Sequence, residues 1–533
     1  MTTGYDYIVV GAGSAGCVLA NRLSQDDGCR VLLIEAGGDA DTRLVPIPGA
    51  APRLQNSQMD WSYMTVPQHE LMGRRLAYPR GRVVGGSSVL NFMIHVRGNA
   101  GDFDDWEKNG CVGWSFKEVL PYFKRLESSS GLSGEYHGKD GPIAVCKNKN
   151  AHRLCLTFIE AAQSVGATLN TDFNGESQWG SGYFESTLKD GKRCSSDTAY
   201  LNPVISRPNL DVLKKSVVLR LIINRNRAMG VECSLGGKKQ KLFYATQEVV
   251  VSAGAVGSPK LLMDSGIGPA DHLMRNGISV NLDLPAVGKN LQDHLYVGSV
   301  FGTVRNPNET YGEIVETFED ALTDFQENRN GPLATVGMDA GAFFAVDPGQ
   351  SQPQCQSFFV PSVSEIFRSD GKLPRSSFYL GGYTCRPMSR GTITLSSENP
   401  LDPPNIDPNF LTADYDIRTA IAQLKWNYEV LNAKPFDKIR SGPPQPEFQN
   451  DTEIELFVRQ MANSAWHPVG TCRMGTSIDT VVGPDLSVHG IDQLSICDAS
   501  VMPSIVSGNT NAATIMIAEK GSDLIRGRIS QVS

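Results

Sequence analysis

The sequence predicts a mixed α/β fold, and three observations carry that expectation. The chain opens on an apolar run, a glycine turn and a helical segment, YDYIVVGAGSAGCVLANRL. Two further apolar runs, at 248–252 and in LSICDAS at 494–500, also end in turns that lead into helical segments. Between them, alternating segments such as QSFFVPSV, SSFYLGGYTCRP and RGTITLSS read as antiparallel strands. The expected architecture is a Rossmann-like sheet assembled from discontinuous segments (1–150, 205–298 and 455–533) beside a substrate-binding domain with a mainly antiparallel sheet and helices (151–204 and 299–454).

Residues 7–10 form the first buried strand. Gly11, Gly13 and Gly16 follow in G-x-G-x-x-G spacing, which allows a tight turn, a close approach of backbone N–H groups to a pyrophosphate, and packing of the next helix on the strand. That helix, 15–24, points its positive end at the phosphate. Residues 31–34 are the second strand, and Glu35, 19 residues past Gly16, stands where an acid holds a ribose diol. These residues indicate a dinucleotide and leave FAD and NAD open.

Residues 37–80 are irregular and suggest an extended surface excursion. RGRVVGGSSVLN (80–91) reads as a loop feeding a helix. Gly85 and Gly86 leave its backbone free to approach a flavin ring or phosphate, the plainer alternative being a helix cap at Ser87 or Ser88. Residues 102–128 have helical periodicity, with Phe116, Val119, Leu120 and Phe123 on one face. From Asn209 a β-meander is expected to return to the strand 248–252, after which Ser258-Pro259 starts a helix with proline in its first turn. A polar helical stretch is expected near 312–328, and helix again from Thr452.

Composition narrows the function. A net charge of −8 with no Lys/Arg cluster argues against a nucleic-acid or anionic-membrane partner and leaves a small molecule. Eleven cysteines without a C-x-x-C pair fit free thiols in a reducing compartment. No signal-peptide pattern precedes the first strand and no run of ~18 apolar residues occurs, so a soluble, cytoplasmic protein without a membrane span is expected. Nothing in the sequence bears on oligomeric state. His467, Cys472 and Asp498 have no metal-ligand spacing, and G-x-S-x-G is absent.

His467, in NSAWHPVGTCRMG, lies between an aromatic residue and a proline, and a neutral imidazole is the usual base for an alcohol proton. The other histidines lack comparable surroundings. Asn509 and Asn511 follow on a glycine turn, where an amide can cap a helix or both accept from and donate to a hydroxyl.

The chain resembles the FAD-dependent glucose-methanol-choline (GMC) oxidoreductases over nearly its whole length. GRVVGGSSVLN (81–91) is similar to the family's first signature and GAVGSPKLLMDSGIG (254–268) to its second, while SAWHPVGTCRMG and SGNTNAATIMIAEK are similar to its C-terminal active-site pair. The resemblance implies FAD rather than NAD. It implies that Gly11, Gly13, Ser14, Ala15, Gly16, Glu35 and Ala36 hold the ADP half, with Val218 at the adenine. Arg82, Gly86, Ser87, Asn91, Ala253 and Trp466 would lie along the cofactor, Asp498 and Ala499 at the ribityl and pyrophosphate region, and Asn511 and Ala512 at the pyrimidine side. The implied catalytic pair is His467 and Asn511, oxidising an alcohol to an aldehyde or ketone with oxygen or another acceptor taking the electrons; Trp466 beside His467 suggests a primary alcohol of aromatic or allylic character.

Two departures from the family pattern matter. Val89, Leu90 and Asn91 stand where flavin-tethering members carry histidine, so FAD is expected to be non-covalent. His95 stands where an aromatic residue or alanine is usual and is read as a tolerated variation. A lyase or a light-driven fatty-acid decarboxylase is the alternative on the same fold, and the intact AWHPVGT argues against it.

Overall fold

The computed structural model describes residues 4–237, 239–310, 318–361 and 376–530. The first strand, Tyr5–Val10, is apolar because both of its faces are covered: Ile8 and Val9 are fully buried. It pairs in parallel with Val31–Ile34 on one side and with the end of the long strand Lys239–Val251 on the other, setting Val9 opposite Leu33 and Val250. Leu494–Ile496 extends the parallel region beyond Lys239–Val251. A piece of chain from near the C-terminus thus completes the N-terminal sheet.

The expected meander holds in part. Ser216–Asn224, Arg227–Leu235 and the first half of Lys239–Val251 are antiparallel, but Leu210–Leu213 lies parallel on Val31–Ile34 as the edge of the dinucleotide sheet. Two other expectations are also corrected. The periodic stretch 102–128 is two helices, Ala100–Lys108 and Phe116–Leu126, each with a capping box, separated by a turn in which Gly110 and Gly113 take positive φ. Residues 37–80 are no mere surface excursion, since Met59, Trp61 and Tyr63 help to wall the main cavity.

The alternating segments form a six-stranded antiparallel sheet in the order Asn463–Ser464, Leu295–Thr303, Ser377–Thr384, Cys355–Val360, Ala340–Phe344, Gly180–Tyr183. The helices Leu154–Ser164 and Asp414–Asn432 cover it and close a second core around Phe158, Phe359 and Leu424. Of the polar stretch expected near 312–328, residues 312–317 lie outside the described residues, and Phe318–Asn328 is helical. Among the described residues no helix is long and apolar enough to cross a membrane, and all eleven cysteines are free thiols.

The helix Gly254–Asp264 begins earlier than expected and carries Pro259 in its interior. Proline has no N–H, so the carbonyl four residues back, that of Ala255, loses its helical donor. The Thr471 hydroxyl donates to that oxygen at 2.7 Å, from a side chain with no solvent exposure. Thr471→Val should therefore leave a buried carbonyl without a partner and cost about 1–3 kcal/mol. Thr471→Ser should cost far less, as read by the urea midpoints of the two variants.

Candidate functional site

One continuous cavity of about 2020 Å³ runs from the glycine turn to the face of the antiparallel sheet. The turn opens it: Gly11 takes φ +99, and a Cβ on Gly16 would lie 1.8 Å from the Gly11 carbonyl, so strand and helix touch through backbone alone. The helix Ser14–Leu23 starts at Gly13 with no side-chain cap, leaving its first N–H groups to a ligand. A second glycine, Gly86 (φ +54), comes so close that its Cβ would meet Gly13 Cα at 2.6 Å. The two glycine loops form one backbone cradle.

Glu35 faces this cradle. Its Oε2 accepts from Ala12 N at 2.9 Å and its Oε1 from Gly37 N at 2.7 Å. Burial raises its pKa to about 7 against the pull of those two donors. Asp498 is committed to holding the wall together, since Oδ2 accepts from Gly254 N (2.9 Å) and Ser258 Oγ (2.5 Å) and Oδ1 from Ser500 N (2.7 Å). Arg82 lies over the Trp61 ring at 4.8 Å, and Arg193 fixes Asn91 through its Oδ1 at 2.9 Å. Gly11, Gly13, Ser14, Ala15, Glu35, Ala36, Arg82, Gly86, Ser87, Asn91, Val218, Ala253, Trp466, His467, Asp498, Ala499 and Asn511 all line the cavity. Gly16 and Ala512 do not, and Gly16 serves the packing of strand on helix.

At the far end a bulge presents His467. Leu295 pairs with Ser464, Ala465 N donates to His294 O at 2.8 Å, and Val469 and Gln292 exchange backbone hydrogen bonds. Residues 466–468 thus oppose the single residue Asp293, and the extra length pushes His467 out of line. Trp466 takes a left-handed φ of +64, held by Arg80 Nη2 on its carbonyl at 2.5 Å and Ser464 Oγ on its N–H at 2.8 Å. Asp293 accepts from His467 N (2.7 Å) and Ser464 Oγ (2.5 Å), which locks the bulge.

Hydrogen bonding then fixes the imidazole tautomer. His294 Nε2 lies 2.8 Å from the Cys385 carbonyl, which can only accept, so Nε2 carries the proton. Burial pushes the His294 pKa down to about 3, leaving the ring neutral with a lone pair on Nδ1. His467 Nδ1, 3.0 Å away, is therefore the donor, and the lone pair of His467 is on Nε2. Burial, then His294 and Arg80, holds His467 well below the ordinary histidine pKa. The result is a neutral base aimed into the cavity.

The amide at that base is Asn509, whose Nδ2 is 3.3 Å from His467 Nε2. Asn511 is turned the other way, its Oδ1 accepting from Ser14 Oγ at 2.8 Å, and so joins the C-terminal helix to the glycine turn. His95 does not line the cavity; it is buried among Arg97 and His137, opposite Glu185. His294 is the residue that the sequence does not disclose, because it meets His467 only through strand pairing across 173 positions. The walls around His467 are aromatic, with Tyr296 stacked on Phe358 (5.6 Å, 18°) and Tyr383 edge-on to the imidazole at 5.5 Å. Among the described residues the carboxylates lining the cavity come from positions 35, 39, 41, 264, 402 and 498, and none from this aromatic end. No metal-binding cluster occurs among the described residues.

Residues 5–296 and 387–518 match the two family models described as GMC oxidoreductase. The chain is 40% identical to the mitochondrial choline dehydrogenase of Homo sapiens over 543 aligned positions, covering 98% of this chain and 90% of that protein. It is 39% identical to the alcohol dehydrogenase [acceptor] of Pseudomonas putida, covering 99% and 97%. Among solved structures, pyridoxine 4-oxidase from Mesorbium loti superposes with a TM-score of 0.89 at 31% identity, covering 97% of this chain and 98% of that one.

His294→Phe keeps a ring against Tyr383 but offers His467 Nδ1 no acceptor, so a proton on Nδ1 is left unpaired and only the 3.3 Å bond from Asn509 still favours the tautomer with its lone pair on Nε2. About a tenfold or greater loss in the rate of alcohol deprotonation is expected. It is measured as alcohol-driven reduction under single-turnover conditions, and an unchanged rate would show that His294 does not set the tautomer.

Proposed function

The chain belongs to the GMC oxidoreductases, an FAD-dependent alcohol-oxidising enzyme, and on that footing we propose that it oxidises a primary alcohol of aromatic or allylic character, with His467 as the base. The observation that carries this reading is the Nε2 lone pair of His467, fixed by two hydrogen bonds and aimed into an aromatic-walled cavity.

The cavity fits the cofactor. The uncapped N–H groups after Gly13 suit a pyrophosphate, the Gly13–Gly86 contact leaves room only for a ligand lying on bare backbone, and Glu35 suits a ribose diol. Val218 would hold the adenine, Arg82, Ser87 and Asn91 one flank of the flavin, and Asn511 the other, with Ala512 behind it outside the cavity lining. Bound FAD would supply the two-electron acceptor for the hydride leaving the carbinol carbon. Attachment is non-covalent on this reading, because His467 is the single histidine among the described lining residues and no cysteine is among them. Acid precipitation should release all the flavin into the supernatant.

The chain's own residues then do three things. Burial and His294 keep His467 neutral, so that Nε2 accepts the hydroxyl proton; Asn509 stands beside the developing alkoxide with an N–H; the buried Tyr383 keeps water from the far side of the imidazole. A second reading, a quaternary-ammonium alcohol such as that named for the human relative, draws support from the stacked aromatic faces, which can hold a cation. The absence of a lining carboxylate at that end, among the described residues, favours the uncharged alcohol. Lyase and decarboxylase readings have no observation in their favour.

Anaerobic mixing with benzyl alcohol, an allylic alcohol and choline tests the order. The flavin should be bleached fastest by the first two, and faster bleaching by choline reverses the assignment. His467→Ala should slow bleaching by about 10²-fold or more, and a near-normal rate would remove His467 as the base.

A further inference from the structure

The bond from Asn509 to His467 Nε2 has a direction that Asn509 alone does not set, because a carboxamide can present either its nitrogen or its oxygen. Asn509 Oδ1 accepts from Gln356 Nε2 at 3.3 Å, and Gln356 Oε1 accepts from the Tyr383 hydroxyl at 2.5 Å. Gln356 is fully buried in the strand Cys355–Val360, and its backbone carbonyl takes a further bond from Gln423 Nε2 at 2.9 Å. The Tyr383 ring is held flat on His294 at 4.2 Å and 9°. The four side chains form a chain of bonds that all point the same way, from Tyr383 through Gln356 and Asn509 to His467.

We infer that Tyr383 and Gln356 are positioning residues for the oxidation: they hold Asn509 with its N–H toward His467 Nε2 and so keep that nitrogen unprotonated until an alcohol arrives. The inference rests on His467 being the base. A donor aimed at a lone pair stabilises the neutral ring, whereas an oxygen in its place would stabilise the imidazolium. Turning Asn509 over would set its N–H against that of Gln356. Turning both would leave the Tyr383 O–H without an acceptor in a buried wall, where an unmade bond is costly. The amides are therefore locked by the phenol. The other charged or titratable groups facing His467 are His294 at Nδ1, Arg80 on the Trp466 carbonyl and Asp293 on the His467 N–H, and none of them touches Gln356.

The test uses the FAD-loaded enzyme and the best alcohol of the panel, comparing wild type with Gln356→Glu, Gln356→Met and Tyr383→Phe. In Gln356→Glu the new carboxylate accepts from both Tyr383 and Asn509 Nδ2, which turns Asn509 Oδ1 to the imidazole. The acidic limb of the reduction rate should move up by about one pH unit or more. Gln356→Met and Tyr383→Phe change no charge and release the lock, so their limbs should move the same way by a smaller amount. In the substrate-free enzyme labelled with 15N-histidine, the His467 resonance should titrate in step with these limbs, a readout independent of turnover. If Gln356→Glu alone moves the midpoint while the two uncharged variants keep the wild-type value, the effect is plain charge and the inference is overturned. His467→Ala separates the two levels: fast reduction in that variant sinks the base assignment, while slow reduction beside unmoved midpoints sinks the positioning roles alone.

Discussion

A carbonyl oxygen that can only accept, that of Cys385, decides where the protons lie at the heart of this enzyme. Because it demands the Nε2 proton of His294, that ring must accept at Nδ1, the next ring must donate there, and the lone pair is left on the nitrogen facing the cavity. Burial makes the rule strict, since neither ring can escape it by taking a second proton at neutral pH. The lone pair of the proposed base is thus specified by backbone geometry, with no carboxylate hydrogen-bonded to either imidazole among the described residues.

The same economy governs the cofactor end, where backbone meets backbone. Gly13 and Gly86, Gly16 and Gly11, and Gly37 and the Arg82 carbonyl touch at distances that exclude any Cβ. Asp498 then ties the loop after Leu494–Ile496 to the start of the helix Gly254–Asp264, and Thr471 repairs the gap that Pro259 makes in that helix. Segments more than two hundred positions apart are held by single polar contacts that are fully buried.

Much of this was legible in the sequence where function follows from backbone conformation. Gly11, Gly13, Gly16 and Glu35 announce themselves because only glycine fits such contacts and the acid follows at a fixed distance along the chain. His467 stood out through its rigid neighbours. His294 did not, for LQDHLY gives only a strand signal, and its partner is found by pairing, not by spacing. Gln356 and Tyr383 lie in segments whose alternation tells which residues share a face but not which face meets the cavity. Asn509 and Asn511 are two positions apart on one turn, and nothing along the chain says which amide looks toward the imidazole and which toward Ser14.

The bulge at 466–468 has one more consequence. It belongs to the edge of the antiparallel sheet, whereas the turn carrying Asn509 leads into the helix Asn511–Ser530, which packs on the first helix, Ser14–Leu23. His467 and Asn509 therefore ride on different layers, and a fragment containing either layer alone would hold half of the proposed site. Competence for the reaction is a property of the finished molecule, appearing only when the last twenty or so residues of described chain have docked on the first helix.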